Sequence, residues 1–177
     1  MEIALRGPSG EPVDLWRTIV SHGVASLPPA DLDEDAEVMT VTLPVAGVRP
    51  RTVRIRPGRK DKAKVDVLGP ALGVRARAGL RESVRRVLNL DEDLSPLYEV
   101  AKTDDDLAWI AVGAGRMARG ATVFEDVVKT ICTTNTTWSA TVRMVGGLVE
   151  SLGEPSAGSH GRAFPTPQAM AGAPEAF

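Results

Sequence analysis

The stretch TVFEDVVKTICTTNTTWSATVRMV, residues 122 to 145, contains two helical patterns separated by a run of polar and β-branched residues. Thr122 and Glu125 have the spacing of a capping box, which predicts that a helix begins here. Thr137 is the predicted N-cap of the next helix. A tight turn needs only Gly, Asn or Pro, and a buried segment would favour Leu. The hydrogen-bonding side chains of residues 133 to 137 therefore indicate a surface for something outside the chain.

Four residues of this turn are the candidate binding residues: Thr134, Asn135, Thr136 and Thr137. Free N–H groups at the start of a helix can bind an anion such as a phosphate. The Asn amide offers two donors and an acceptor, which suits the edge of a nucleobase. The residues alone leave one alternative open, a capped interhelical turn in which the threonines only satisfy backbone groups.

Upstream of this stretch, the apolar residues alternate at the period of strands. In residues 52 to 56, Val53 and Ile55 point to one side of the strand while Arg54 and Arg56 point to the other. This pattern predicts a sheet with one buried face and one face exposed to solvent. The short spacing between such segments favours an antiparallel sheet. Four strands are predicted: VMTVTL (38 to 43), TVRIR (52 to 56), KVDVL (64 to 68) and GVRARA (73 to 78).

The remaining segments have helical patterns. Asp14 is the predicted cap of a short helix that turns Leu15, Trp16, Ile19 and Val20 inward and ends at Gly23. Further helices are predicted from Leu80, from Ser95 and Pro96, and from Thr103, with a last one that Thr166 caps and Pro167 begins. In the helix after Thr137, which Gly153 should end, the pair Gly146 and Gly147 predicts close contact with another helix.

Composition narrows the class of protein. Hydrophobic residues make up 43% and charged residues 25% of the 177, as in globular proteins. The single cysteine, Cys132, excludes an internal disulfide framework and a Cys-rich metal site, and favours a reducing, cytoplasmic setting. No apolar run reaches the roughly 18 residues of a membrane span. Thirteen of the 21 basic residues lie between Arg49 and Arg86 against three acidic ones, an excess that could face phosphates or only a solvated sheet.

Several kinds of catalytic site are disfavoured. His22 and His160 have no adjacent nucleophile signature, and one cysteine with two distant histidines gives no zinc spacing. The glycine-rich GAGRMARG, residues 113 to 120, lacks the Lys of a phosphate-binding loop. No metal and no cofactor is therefore predicted.

The segments FEDVVKTICTTNTTWSATVRMVGGLVESLG and AFPTPQAMA, within residues 116 to 173, resemble the helix-hairpin-helix superfamily of DNA glycosylases. The resemblance is to the 3-methyladenine and 8-oxoguanine types. Relatives of this kind bend duplex DNA, flip a damaged nucleotide into a pocket and cleave its N-glycosidic bond. By position, Asn135 would touch the estranged partner base, with Thr134 and Thr136 beside it. The resemblance implies base-excision repair of alkylated or oxidised purines in double-stranded DNA, by a cytoplasmic monomer without a cofactor.

In that superfamily the hairpin and the catalytic Asp, with a Lys in the 8-oxoguanine type, follow the F-P-T-P helix, and this sequence is expected to end before them. Asp126 and Lys129 cannot replace them, because both precede the turn and are expected on the outer side of its helix. No residue is therefore predicted to be catalytic, and the chain alone is expected to be inactive.

The predicted fold class is α+β: an antiparallel sheet domain with a flanking helix (1 to 79), then an incomplete all-helical glycosylase domain (80 to 177). Two alternatives remain. One is a non-enzymatic DNA-binding module that uses residues 49 to 86 and the Asn135 turn. The other is a helical partner-binding fragment that another chain completes.

Overall fold

The computed structural model describes residues 1–158 and 160–174. Five strands form one antiparallel sheet in the order β1-β5-β4-β3-β2. They are β1 (Glu2–Ala4), β2 (Ala30–Asp33), β3 (Val38–Val45), β4 (Val48–Pro57) and β5 (Lys62–Val67). The helices are α1 (Leu15–Ile19), α2 (Val74–Val87), α3 (Ser95–Ala101), α4 (Val123–Cys132), α5 (Trp138–Leu152) and α6 (Pro167–Ala171).

The sheet has one buried and one partly solvated face, as the alternation predicts. Val53 and Ile55 are fully buried, and their antiparallel partners across the sheet are Val41 and Met39. Arg54, between them, is exposed. Helix α2 packs on the buried face through Leu80, Val84 and Val87, each of which is at most 1% exposed. The predicted antiparallel sheet with helices is therefore confirmed.

The predicted fourth strand at residues 73 to 78 is wrong, because this segment begins helix α2. Its alternation of apolar and basic residues suits either structure, but Ala and Arg are among the strongest helix formers. Val74 is 90% exposed, so the alternation does not mark a buried face. The two edge strands, β1 and β2, were not predicted, since three- and four-residue strands carry too few residues to show a period.

Two helix predictions also need correction. Asp14 caps α1 as predicted, by accepting from the Arg17 amide at 3.0 Å, but the helix ends at Ile19, Val20 is 41% exposed, and Gly23 begins a short 3-10 helix instead. No helix begins at Thr103, whose hydroxyl donates backward to the Val100 carbonyl at 2.8 Å. Local hydrogen bonds of this kind compete with helix initiation.

A second, smaller core lies where α4 and α5 pack on the loop that precedes β2. Leu27, Val145, Val149 and Phe164 are buried together there. The Phe164 ring contacts Phe124 of α4 edge to face, with 6.4 Å between the ring centroids. This cluster fixes α4 and α5 against the segment that leads into β2.

The glycine pair of α5 does not make the predicted helix contact. A Cβ added at Gly146 or Gly147 would meet nothing within 4 Å. Gly146 instead borders a cleft of about 310 Å³ between α5 and the outer side of the sheet. The division at residue 79 falls inside α2 and stays a prediction, and its second part includes residues 159 and 175 to 177, which lie outside the described ones.

Candidate nucleic-acid interface

Helix α4 begins at a well-formed cap. The Thr122 hydroxyl accepts from the Glu125 amide at 3.1 Å, as the capping box predicts. The Glu125 carboxylate reaches back to the Ala121 amide at 3.0 Å, and Asp126 accepts from the Gly120 amide at 2.6 Å. These two acidic side chains also lie where the helix dipole is positive. The start of α4 is thus held by hydrogen bonds to residues 120 to 122.

A buried ion pair holds the middle of α4 against the loop before Pro28. The Lys129 ammonium lies 2.7 Å from the Glu125 carboxylate, and both side chains are only 4% exposed. The ammonium also donates to the Leu27 carbonyl at 3.2 Å and lies 5.8 Å from the centre of the Phe164 ring. The expectation that Lys129 lies on the outer side of its helix is therefore wrong, because this face of α4 packs on the loop before Pro28.

Asp126 is the more exposed of the two residues that the sequence excluded from catalysis. Its carboxylate forms an ion pair with Arg86 at 3.3 Å, with about a third of each side chain exposed. This contact joins α4 to α2. Both Asp126 and Lys129 thus have structural partners.

The threonines at the end of α4 satisfy backbone carbonyls. The Thr133 hydroxyl donates to the Thr130 carbonyl and the Thr134 hydroxyl to the Ile131 carbonyl, both at 2.7 Å. The last carbonyls of a helix lack amide partners within the helix, so such bonds stabilise its end. The capped-turn alternative thus accounts for the Thr134 hydroxyl.

At the start of α5, threonine hydroxyls again bond to backbone groups. The Thr137 hydroxyl accepts from the Ala140 amide at 3.3 Å and caps α5, as predicted. The buried hydroxyl of Thr141 donates to the Cys132 carbonyl at 2.8 Å and so connects the two helices. Sequence inspection missed Thr141, because its spacing from Cys132 has no meaning until the chain turns back.

Asn135 and Thr136 have no such structural use. Both residues are exposed, and their side chains make no hydrogen bond with any other described residue. The Asn135 backbone adopts φ +49°, the left-handed conformation that Asn tolerates better than most residues. The amide of Asn135 therefore lies at the tip of the turn, open to solvent.

The structure thus brings the four candidate residues together on one exposed turn. Thr134 and Thr137 use their hydroxyls within the turn, whereas Asn135 and Thr136 do not. Contact of any of the four with DNA stays a prediction.

The basic stretch does not form one uninterrupted positive face. Arg56 pairs with Asp66 at 3.0 Å and Lys62 with Glu2 at 2.9 Å. Arg51 is 6% exposed and donates to backbone carbonyls. The basic residues of the stretch that are exposed and form no ion pair within residues 1–158 and 160–174 are Arg49, Arg54, Arg59, Lys60, Arg75, Arg77 and Arg81.

Two other potentially reactive side chains, His22 and Cys132, are in environments that disfavour reactivity. A ring nitrogen of His22 lies 2.9 Å from the Ala118 carbonyl, in a structural hydrogen bond. Burial raises the pKa of the Cys132 thiol, which disfavours the nucleophilic thiolate. In the described part of the chain, no three His, Cys, Asp or Glu residues are grouped to hold a metal ion. None of the helices described is both long and apolar enough to cross a membrane.

Comparison with known proteins gives matches in structure alone. No family model matches this sequence, and no curated protein matches it. The 3-methyladenine DNA glycosylase from Archaeoglobus fulgidus superposes with a TM-score of 0.70 at 18% identity, over 96% of this chain and 57% of that one. The structure of MBOgg1 in complex with a low-affinity DNA ligand superposes with a TM-score of 0.59, also at 18% identity, over 89% of this chain and 50% of that one.

The chain therefore spans about half the length of each of these proteins. A structural match at 18% sequence identity shows a shared fold and not a shared activity. The resemblance to DNA glycosylases inferred from the sequence is confirmed at that level. The chain has an α+β fold that matches about half of each of these two glycosylases. Its threonine-rich turn is exposed at the junction of α4 and α5.

Proposed function

We propose that this chain is part of a DNA N-glycosylase of base-excision repair, which acts on alkylated or oxidised purines by flipping the damaged nucleotide out of the duplex. The observation that carries the proposal is the exposed Asn135 amide, held at the tip of the turn and left without a partner among the described residues. Extrusion of a nucleotide leaves a gap and an unpaired base, which require a replacement partner. An amide with two donors and an acceptor supplies one.

The surroundings of the turn support the same role. Because the hydroxyls of Thr134 and Thr137 hold the helix ends on either side of the turn, the backbone that carries Asn135 needs less ordering on binding. The exposed first turn of α5 offers N–H groups that favour a nearby phosphate. The proposed partner is double-stranded DNA carrying a damaged base, bound by a monomer in the cytoplasm.

The test is the affinity for an intact duplex and for the same duplex with a stable abasic analogue, which mimics the extruded state. Wild type is expected to prefer the abasic duplex. Asn135→Gly, which keeps the left-handed backbone, is expected to reduce this preference about five- to tenfold through loss of the amide's hydrogen bonds. Ser151→Ala, an exposed change near the far end of α5, should leave it unchanged. Equal affinity of the wild type for the two duplexes would refute the role of the turn.

Catalysis is proposed to depend on residues that this chain does not contain. Residues 1 to 177 are expected to bind abasic DNA but not to release bases from duplexes carrying alkylated or oxidised purines. Robust cleavage by the purified chain would show that the active site has been misplaced.

One observation favours a second candidate, a helical fragment that a partner chain completes. Val123, Val127 and Ile131 form a row along α4, and each is at least half exposed. Phe124 and Val128, on the adjacent side of the helix, pack inward, so the apolar residues of α4 divide into a buried and an exposed set. Sedimentation equilibrium that shows a monomer, together with no binding of a hydrophobic dye, would count against this candidate.

A further inference from the structure

Thr141 makes the hydrogen bond that joins the two helices flanking the exposed turn. The residue is 1% exposed, and its hydroxyl donates to the Cys132 carbonyl at 2.8 Å. Cys132 is the last residue of α4, and Thr141 lies in the first turn of α5. The bond therefore closes a ring of the chain that contains the whole segment 133 to 137.

This bond differs in kind from those of the other threonines nearby. The hydroxyls of Thr133 and Thr134 bond to carbonyls three residues earlier in the chain. Such bonds hold the end of α4 whatever the position of α5. The bond of Thr141 exists only when the first turn of α5 lies against the end of α4, so it reports and maintains the arrangement of the two helices.

A second contact, with the segment between α1 and β2, supports the first turn of α5. A Cβ added at Gly23 would lie 3.2 Å from the Trp138 ring, so the ring packs directly on the backbone of residue 23. The Trp138 ring therefore contacts the segment before β2, while the Thr141 hydroxyl contacts the end of α4. Both contacts act on the first turn of α5, which directly follows the turn that carries Asn135 in its left-handed conformation.

We propose that Thr141 is a positioning residue for DNA binding, which acts by holding the turn in the shape that presents Asn135. This inference rests on the proposed function. A turn that is ordered before binding loses less conformational entropy when it inserts into DNA. Loss of the bond leaves the fold in place, since the cores on both sides remain, but allows the turn to sample other shapes.

The experiment compares Thr141→Val, which removes the hydroxyl at nearly constant volume, with Thr141→Ser, which retains it. The readout is the ratio of affinities for abasic and intact duplexes, at matched thermal stability. Thr141→Val is expected to lower this ratio about fivefold, the loss that one hydrogen bond accounts for. Thr141→Ser should restore it. Thr130→Val is the matched control, since it deletes a hydroxyl that bonds only within α4, to the Asp126 carbonyl at 2.8 Å.

The outcomes separate this inference from the proposed function. If Asn135→Gly lowers the ratio but Thr141→Val does not, the positioning role is wrong while the DNA-binding turn stands. If the wild type shows no preference for abasic DNA, the proposed function itself fails. Should Thr141→Val not fold, Thr141→Ala against Thr141→Ser gives the same hydroxyl comparison, and equal ratios for that pair would overturn the inference.

Discussion

The buried pair Glu125 and Lys129 gives the sharpest prediction about stability. Lys129→Met removes the ammonium and keeps most of the aliphatic stem. It leaves the Glu125 carboxylate, 4% exposed, with the Ala121 amide at 3.0 Å as the donor that remains. The Leu27 carbonyl also loses its bond to the ammonium. A buried charge without its partner is costly, because neither water nor an opposite charge compensates it.

The expected loss is about 3 to 5 kcal/mol in the free energy of unfolding. Domains are stable by about 5 to 15 kcal/mol, so the change is a large part of the total. For a chain of this size it corresponds to a melting temperature roughly 6 to 20 °C lower. Equilibrium unfolding in urea, followed by circular dichroism and tryptophan fluorescence, measures it directly.

A double-mutant cycle separates the ion pair from simple packing. Glu125→Gln with Lys129→Met removes both charges and retains an oxygen that can accept from the Ala121 amide. The double variant is expected to recover all but about 1 to 2 kcal/mol of the native stability. Lys102→Met is the control, because Lys102 and Glu99 form an ion pair with more than half of each side chain exposed. No measurable change is expected there.

Two results would refute the reasoning. A loss below about 1 kcal/mol for Lys129→Met would mean that water or another group compensates the carboxylate. A double variant as unstable as the single one would show that the loss comes from packing and not from the unpaired charge.

Two further predictions concern buried groups elsewhere. Glu11→Gln leaves the fully buried Arg116 guanidinium without its anion, which lies 3.0 Å away in the native protein. The expected loss in the free energy of unfolding, measured in urea, is about 3 to 5 kcal/mol. Asp61→Asn, in an exposed ion pair, is the control, and equal losses for the two variants would contradict the argument. Because burial raises the pKa of Cys132, its alkylation by iodoacetamide should reach half its maximal rate at a higher pH than that of a free cysteine, and a midpoint at or below the free value would contradict this.

Local sequence signals were sufficient wherever a short pattern fixes a short structure. Thr122, Thr137 and Thr166 cap their helices as predicted, because a hydroxyl bonds to an amide only three residues away. The strands around Val53 and Ile55 were found because their alternation matches the pleat of a sheet. Thr103 failed because its hydroxyl bonds backward, which the same residue type allows equally well.

The candidate turn was found for a sound reason, but the roles within it could not be divided from sequence. A threonine hydroxyl looks the same whether it bonds to a carbonyl, as in Thr134, or remains open, as in Thr136. The Glu125–Lys129 spacing is the ordinary one of a helix-surface pair. Nothing along the chain shows that Leu27 and Phe164 would enclose it.

The sequence by itself determined the class of fold, the caps of α4 and α5 and the polar turn between them, because each depends on interactions within a few residues. Only the tertiary structure decided that Lys129 is buried, that Thr141 closes the turn and that Asn135 is left exposed. The burial of Lys129 and the bond of Thr141 depend on partners 102 and 9 residues away along the chain, which meet only after the sheet and the helices have packed together. The exposure of Asn135 follows from the same packing, which leaves the turn at the surface.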